Sequence, residues 1–314
     1  LSRKIYPSLA VTPDELYNHM SDQDYIGRFA SPARTDVTLW LSLEEILQKA
    51  VEIPNGGGVK KLTIPRNTRI TVANMSLTMQ YPVDIKVMTH GGISVSYDVS
   101  KPSPLQNIEV NAIRSTVTSF GESKYLSILL PLLQMHCETQ TITLNNVTGF
   151  SKTFDFTDKY YYTRCFIKRE TSADWMEIKT THADQTFDLN MPTVVLKVDT
   201  VSKKLNVMIP QIYFNNGSIQ DAVRIDIYTT QGDVNVRLEN YRPSAFTAEW
   251  IDLDDSASKV YTEKFNTFSN MAIFSSAVVS GGAEELSFDV LRDRVVKNAI
   301  NQPLTSITYG ALES

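Results

Sequence analysis

Two runs of alternating residues near the middle of the chain set the pattern for the rest. In the first, Lys197, Val198 and Asp199 lead through a polar run into Leu205, Val207 and Ile209; in the second, Val223, Ile225 and Ile227 alternate with Arg224, Asp226 and Tyr228. A period of two turns one face of a strand to a core and the other to water. Between the runs, Asn215, Asn216, Gly217 and Ser218 supply residues that tolerate positive φ. The spacing predicts a β-hairpin with an exposed loop, closed by a second turn at Gln231, Gly232 and Asp233.

The same period recurs along the chain. Residues 61–64 and 69–72 alternate around Pro65, Arg66 and Asn67, and residues 85–89 and 93–97 flank His90, Gly91 and Gly92. Residues 138–144 alternate strictly, residues 160–167 and 175–178 are aromatic and β-branched around a polar turn, and residues 234–238 add a further strand. Residues 124–135 fit either a buried helix or a long strand.

Helical spacing appears in three places. Thr12 before Pro13, Asp14 and Glu15 predicts a short helix over 13–20. Ser42 with Glu45 makes a capping box for a helix over 39–51, with Leu43, Ile46, Leu47 and Ala50 on one face. Ser287 caps a third helix in which Phe288, Leu291, Val295 and Ala299 share a face opposite Arg292, Asp293, Arg294 and Lys297; Asn301, Gln302 and Pro303 end it. The fold class expected is mainly β with α+β parts, and multidomain. Its parts are an N-terminal helical region (1–58), a first β-domain (59–150), a central β-domain with the hairpin (151–245) and a C-terminal α+β region (246–314).

Four groups of residues, in order, resemble the baseplate J-like family, which includes the large wedge subunit of contractile-tailed phages. Thr63-Ile64-Pro65-Arg66-Asn67-Thr68 is similar to an early T-I-P-x-G-T strand, with Asn67 in place of glycine. A strand, a polar turn and a strand carrying Trp175 follow, then Phe214-Asn215-Asn216-Gly217 and the strand ending in Thr230-Gln231-Gly232. Last come Gly281-Gly282-Ala283-Glu284-Glu285, Leu291-Arg292-Asp293-Arg294, Pro303 and residues 307–313, where Tyr309-Gly310-Ala311 departs from the family's acidic-aromatic pair.

The resemblance spans roughly residues 40–314. It implies small β-domains on one chain, with the C-terminal helix clamping paired copies into a homo-oligomer. The partners implied are other wedge, hub and sheath-initiating proteins in the virion tail baseplate, assembled in the host cytoplasm. Gly281 and Gly282 would then be a hinge, and Phe288, Leu291, Val295, Ala299 and Leu312 an interface. A connecting loop and a helix packed within the chain explain the same residues.

Composition narrows the classes. A chain of 314 residues, 42% hydrophobic and 21% charged, buries more than one core. Its net charge of -5 disfavours a nucleic-acid-binding face, which needs clustered Lys and Arg. The most apolar run, residues 125–133, contains Pro131 and is shorter than the ~20 residues that span a bilayer, so no membrane partner is expected. Two cysteines, Cys137 and Cys165, make no disulfide scaffold. An opening Leu1 without a signal pattern, and helix formers at Ala311-Leu312-Glu313-Ser314, suggest a piece of a longer polypeptide.

No catalytic residues, cofactor or metal are expected. His19, His90, His136 and His182 are scattered, and His136 and Cys137, adjacent on a strand, point to opposite faces. Asp252, Asp254 and Asp255 lack the glycine and distal glutamate of an EF-hand loop, and Gly56-Gly57-Gly58 lacks the lysine of a P-loop. Three functions compete: a non-enzymatic baseplate wedge subunit, favoured by the resemblance; a carbohydrate-binding or adhesin-like β-sandwich stacking sugars on exposed Tyr160, Tyr161 and Tyr162; and a hydrolase using Asp252 and Asp254.

Overall fold

The structure is a computed structural model that describes residues 6–17, 19–100, 103–106, 113–144, 149–168, 175–182, 190–215, 217, 219, 222–251 and 260–301. Strands dominate, as expected. One sheet runs in the order β18 (Phe246–Glu249), β4 (Arg69–Val72), β5 (Met75–Thr78), β9 (Ser123–Gln134), β1 (Arg34–Ser42) and β19 (Met271–Phe274), with β8 (Ser115–Phe120) also on β9. A second sheet, β2 (Val51–Glu52), β3 (Lys60–Ile64), β6 (Val83–Val87) and β7 (Ile93–Tyr97), packs with it, as does the small pair β17 (Val236–Arg237) and β20 (Val278–Val279). Their shared core is the first lobe.

The second lobe is one sheet in the order β10 (His136–Thr143), β16 (Ala222–Thr230), β12 (Lys159–Lys168), β13 (Trp175–Thr181), β14 (Thr193–Asp199), β15 (Lys204–Ile209) and β11 (Phe150–Asp155). On one face of this sheet lies a core that also holds residues of the short helices α1 (Pro13–Tyr17) and α2 (Asp22–Ile26). The helices that follow are α3 (Leu43–Lys49) on the first lobe, and α4 (Ile212–Asn215) and α5 (Phe288–Asn301) on the second.

Of residues 124–135, all but Met135 are strand. In β9, Leu126, Ile128, Leu130 and Leu132 enter the core and β1 lies along one edge. Pro131 fits because it falls between the pairings of the other edge, where β8 reaches Ile128 and β5 begins at Leu133. Its missing N–H faces that gap, as ladder alternation requires. Near the start, β1 continues to Ser42, so α3 is shorter than the 39–51 helix expected. Ser42 does cap it, its Oγ accepting from Glu45 N (3.4 Å). The Glu45 carboxylate accepts from Ser269 N and Asn270 N instead of closing the box.

The central hairpin does not form. β15 pairs with β14 and β11, and β16 with β10 and β12. Three strands lie between them, a separation of about 19 Å at the usual strand spacing. A tight turn does not span that, so the connection folds as α4, whose Tyr213 is fully buried in the core. Gly217 keeps the positive φ expected of it, at +70°. The hairpin that does form joins β14 to β15, with Val198 opposite Leu205.

The linear division at 58/59, 150/151 and 245/246 is not where the sheets divide. β1, from the expected helical region, is a central strand of the first lobe, and β18 and β19, from the expected C-terminal region, share its sheet. β10, assigned to the first β-domain, is an edge of the second lobe. The chain passes between the lobes repeatedly, so each lobe's sheets are assembled from non-contiguous segments.

Candidate functional site

Among the described residues the chain passes between the lobes at four places: before β1, between β9 and β10, after β16, and between β20 and α5. These passages meet in one neck. Gln134 N donates to Ala33 O (2.8 Å). The Thr230 hydroxyl donates to Gln134 Oε1 (2.8 Å), as does Gln231 N (2.9 Å). Ser31 and Ala283 exchange backbone bonds of 2.9 and 3.1 Å, and Arg34 and Ser280 bonds of 2.7 and 3.1 Å. Lys159 Nζ joins Gln231 O (3.0 Å) to the Glu284 carboxylate.

Gly282 sits where the passages touch. A Cβ there would lie 2.0 Å from Gly232 O and 2.9 Å from Ala33 N, so only glycine fits. A hinge needs residues free to change φ and ψ. Gly282 is held against backbone from two other passages, and although Gly281 (φ +83°) has open space around it, the bonds at Ser280 and Ala283 anchor it on both sides. In this structure the Gly-Gly pair is packed and bonded among the passages that join the lobes.

The helix beyond packs within the chain. Leu291 and Val295 are 3% and 2% exposed in the second-lobe core, and Phe288 is half-buried against it. Asn298 Nδ2 donates to Asp24 Oδ1 (2.9 Å) and Arg294 approaches the same carboxylate, tying α5 to α2. The apolar face assigned to a neighbouring copy is therefore covered by the chain's own sheet and N-terminal segment. Ala299 is exposed, and Leu312 lies outside the described residues.

The other face of the second-lobe sheet holds what the sequence reading missed. Alternation in β16 placed Arg224, Asp226 and Tyr228 in water, yet they are 2%, 0% and 0% exposed. Register explains how they are accommodated: Asp226 lies opposite Arg164 on β12 and Thr139 on β10, and Arg224 opposite Phe166. Thr139 Oγ1 donates to Asp226 Oδ1 (2.9 Å), and Arg224 Nε is 3.4 Å from that oxygen. Arg224 lies 4.1 Å from the Phe166 ring centre and 5.3 Å from that of Trp175.

Arg164 forks onto Glu177 with bonds of 2.7 and 2.5 Å. The first lobe supplies a lid. Asn67 in the 65–68 loop, at the expected positive φ (+63°), accepts from the Tyr228 hydroxyl (3.4 Å), and Arg66 approaches Phe166. Burial pushes the Asp226 carboxyl up, and Arg224 and Thr139 draw it part of the way back. Such a paired cluster holds two surfaces in one register.

A second clamp fixes the N-terminal segment. Arg28, buried, donates to Val198 O (3.2 Å) and lies over Tyr17, Tyr25 and Phe29. Asp22 Oδ1 accepts from Thr181 Oγ1 (2.9 Å) and from His182 N and Nδ1 (3.1 and 2.6 Å), and the His182 ring stacks on Tyr25 at 4.3 Å. Burial raises the Asp22 carboxyl, but these bonds outweigh it and hold the group below the usual carboxylate range.

The remaining candidates do not assemble. Burial pushes the Cys137 thiol up to about 12, far from a thiolate nucleophile, while His136 turns to Arg69 (3.1 Å). Of the tyrosines expected to stack sugars, Tyr160 is 4% exposed, and Tyr161 and Tyr162 are half-buried against the cluster of Leu105, Leu133, Met135 and Tyr228. Among the described residues no three His, Cys, Asp or Glu side chains come together as a metal site, and no helix is long and apolar enough to cross a membrane. Asp252, Asp254 and Asp255 lie outside the described residues. The chain matches no protein-family model and, in a search of curated proteins, no relative.

Proposed function

We propose that this chain is a non-enzymatic structural subunit of a contractile-tail baseplate, of the wedge type. In this reading it assembles with copies of itself and with other wedge, hub and sheath-initiating proteins into a ring around the tail hub. It also transmits the rearrangement that triggers sheath contraction. Neither nucleic acid nor membrane is a partner. The observation that carries the proposal is the ordered series of four motif groups, at 63–68, 160–178, 214–232 and 281–294.

The geometry supports it in one respect. A force-transmitting subunit needs its parts fastened together, and the lobes are joined both at the neck and where Asn67 and Arg66 of the first lobe meet Tyr228 and Phe166 of the second. The lobes then act as domains, with the N-terminal helices and α5 belonging to the second. Light scattering on the purified chain, alone and mixed with the products of neighbouring genes, tests the proposal. A discrete larger complex is expected; a monomer that ignores every such partner overturns it.

A further inference from the structure

Strand β8 forms a hairpin with the first half of β9, whose other edge is paired with β1, so β8 ends that part of the first-lobe sheet. All six of its residues are exposed, Val117 at 50% and Phe120 at 75%. It pairs with β9 along one edge, and among the described residues nothing pairs with the other. Leu129 N donates to Arg114 O (2.9 Å). Antiparallel alternation therefore turns the peptide groups of Thr116, Thr118 and Phe120 towards β9 and those of Ser115, Val117 and Ser119 outward. Native edge strands are ordinarily guarded by Lys, Pro or a bulge. The sequence Ser-Thr-Val-Thr-Ser-Phe has none of these, and its register with β9 is unbroken.

We propose that β8 is a docking edge whose occupant is β8 of a second copy of this chain, added antiparallel across a two-fold axis. The proposal rests on the assembly reading above and names one of its contacts. Charge selects both the occupant and the register. Only odd-numbered residues offer bonds outward, so odd must face odd across the new ladder.

Centring the pair on Thr118 satisfies this and sets Val117 of one copy against Ser119 of the other. In the same register Glu122, in the turn at each hairpin tip, lies towards Arg114 at the base of the opposite hairpin, so the charges at the two ends of the edge are complementary. Centring on Val117 sets Arg114 against Phe120, and centring on Ser119 sets Glu122 against Thr116. Arg114 and Glu122 are exposed and have no ion pair within the chain among the described residues. Thr118 facing Thr118, and Phe120 facing Thr116, are favourable cross-strand neighbours.

Cross-linking tests the register directly. The central residues of a non-hydrogen-bonded pair lie about 4.5 Å apart at Cα, within disulfide reach. Thr118→Cys should therefore give a covalent dimer under mild oxidation, and Ser115→Cys, which faces Gly121, should not. The native Cys137 and Cys165 are unbridged and set the background in the wild-type chain.

Sedimentation equilibrium tests the strength of the contact. Val117→Pro, which removes an outward N–H that the fold does not use, should raise the dimer dissociation constant at least tenfold. Glu122→Arg should weaken the dimer about tenfold, and the exchange of both charges in Arg114→Glu/Glu122→Arg should restore it. A wild-type chain that stays monomeric, or a Thr118→Cys chain that cross-links no better than Ser115→Cys, overturns the proposal. A dimer unchanged by Val117→Pro overturns the edge while leaving the assembly reading standing. Binding of neighbouring-gene products by the Val117→Pro chain separates the two readings in the same way.

Discussion

β16 carries an arginine and an aspartate and is buried on both faces, whereas β8 carries no charge and is exposed on both. Charge pattern along a strand therefore does not by itself say which strand meets water. A buried ion costs several kcal/mol unless partners are already in place. For Asp226 they come from Thr139, Arg164 and Arg224, on three adjacent strands. For β8 the sheet offers one edge and no cover. The first strand is closed by contacts inside the chain, and the second has one edge unpaired among the described residues.

The comparison breaks first at Asp226. Asp226→Ala should cost about 3–5 kcal/mol in urea unfolding, because it removes the carboxylate beside the buried Arg224 guanidinium. Asp226→Asn keeps the shape and should cost less. Equal losses would mean that the charge, and not the shape of the side chain, holds that face.

Gly282→Ala comes next. The new methyl group meets backbone on two sides, which gives an expected loss of about 3 kcal/mol or more; Gly281→Ala, with open space around it, should lose less even though its φ is positive. A Gly282→Ala chain with unchanged stability would show that the neck yields, and would bring the hinge back.

A smaller effect belongs to Asp22. Its folded carboxyl lies below the ordinary range, so its stabilisation is present above the unfolded value of about 3.9 and is lost as pH falls through the folded value. Asp22→Asn should cost about 1 kcal/mol at neutral pH, the group being partly exposed, and should flatten the acid limb of a stability-against-pH curve. An acid limb identical to that of the wild type would mean the N-terminal clamp is held by Arg28 and its aromatic neighbours alone. The smallest effect is expected on β8, where Thr116→Ala and Ser119→Ala should stay within about 0.5 kcal/mol of the wild-type chain.

Much of the secondary structure was legible because it is local. The period of two marks β3, β4, β7, β10 and β13, and the capping serine marks the start of α3. Asn67, Gly91 and Gly217 take the positive φ that their residue types favour. The candidate site was legible only in fragments. Gly282 and Gly232 stood out as glycines, but the residues pressed against them, Ala33 on Gly282 and Lys159 on Gly232, carry no local signal.

What the amino-acid order determined by itself is that many segments with a period of two are extended, and where several of them turn. Those properties follow from backbone sterics and side-chain spacing within a few residues. Tertiary structure alone decided that β15 and β16 part, that the charged face of β16 is interior, and that α5 closes on its own chain. These depend on which distant strands compete for the same edge and on whether a partner stands ready for each buried charge. Neither is a property of any one stretch of sequence.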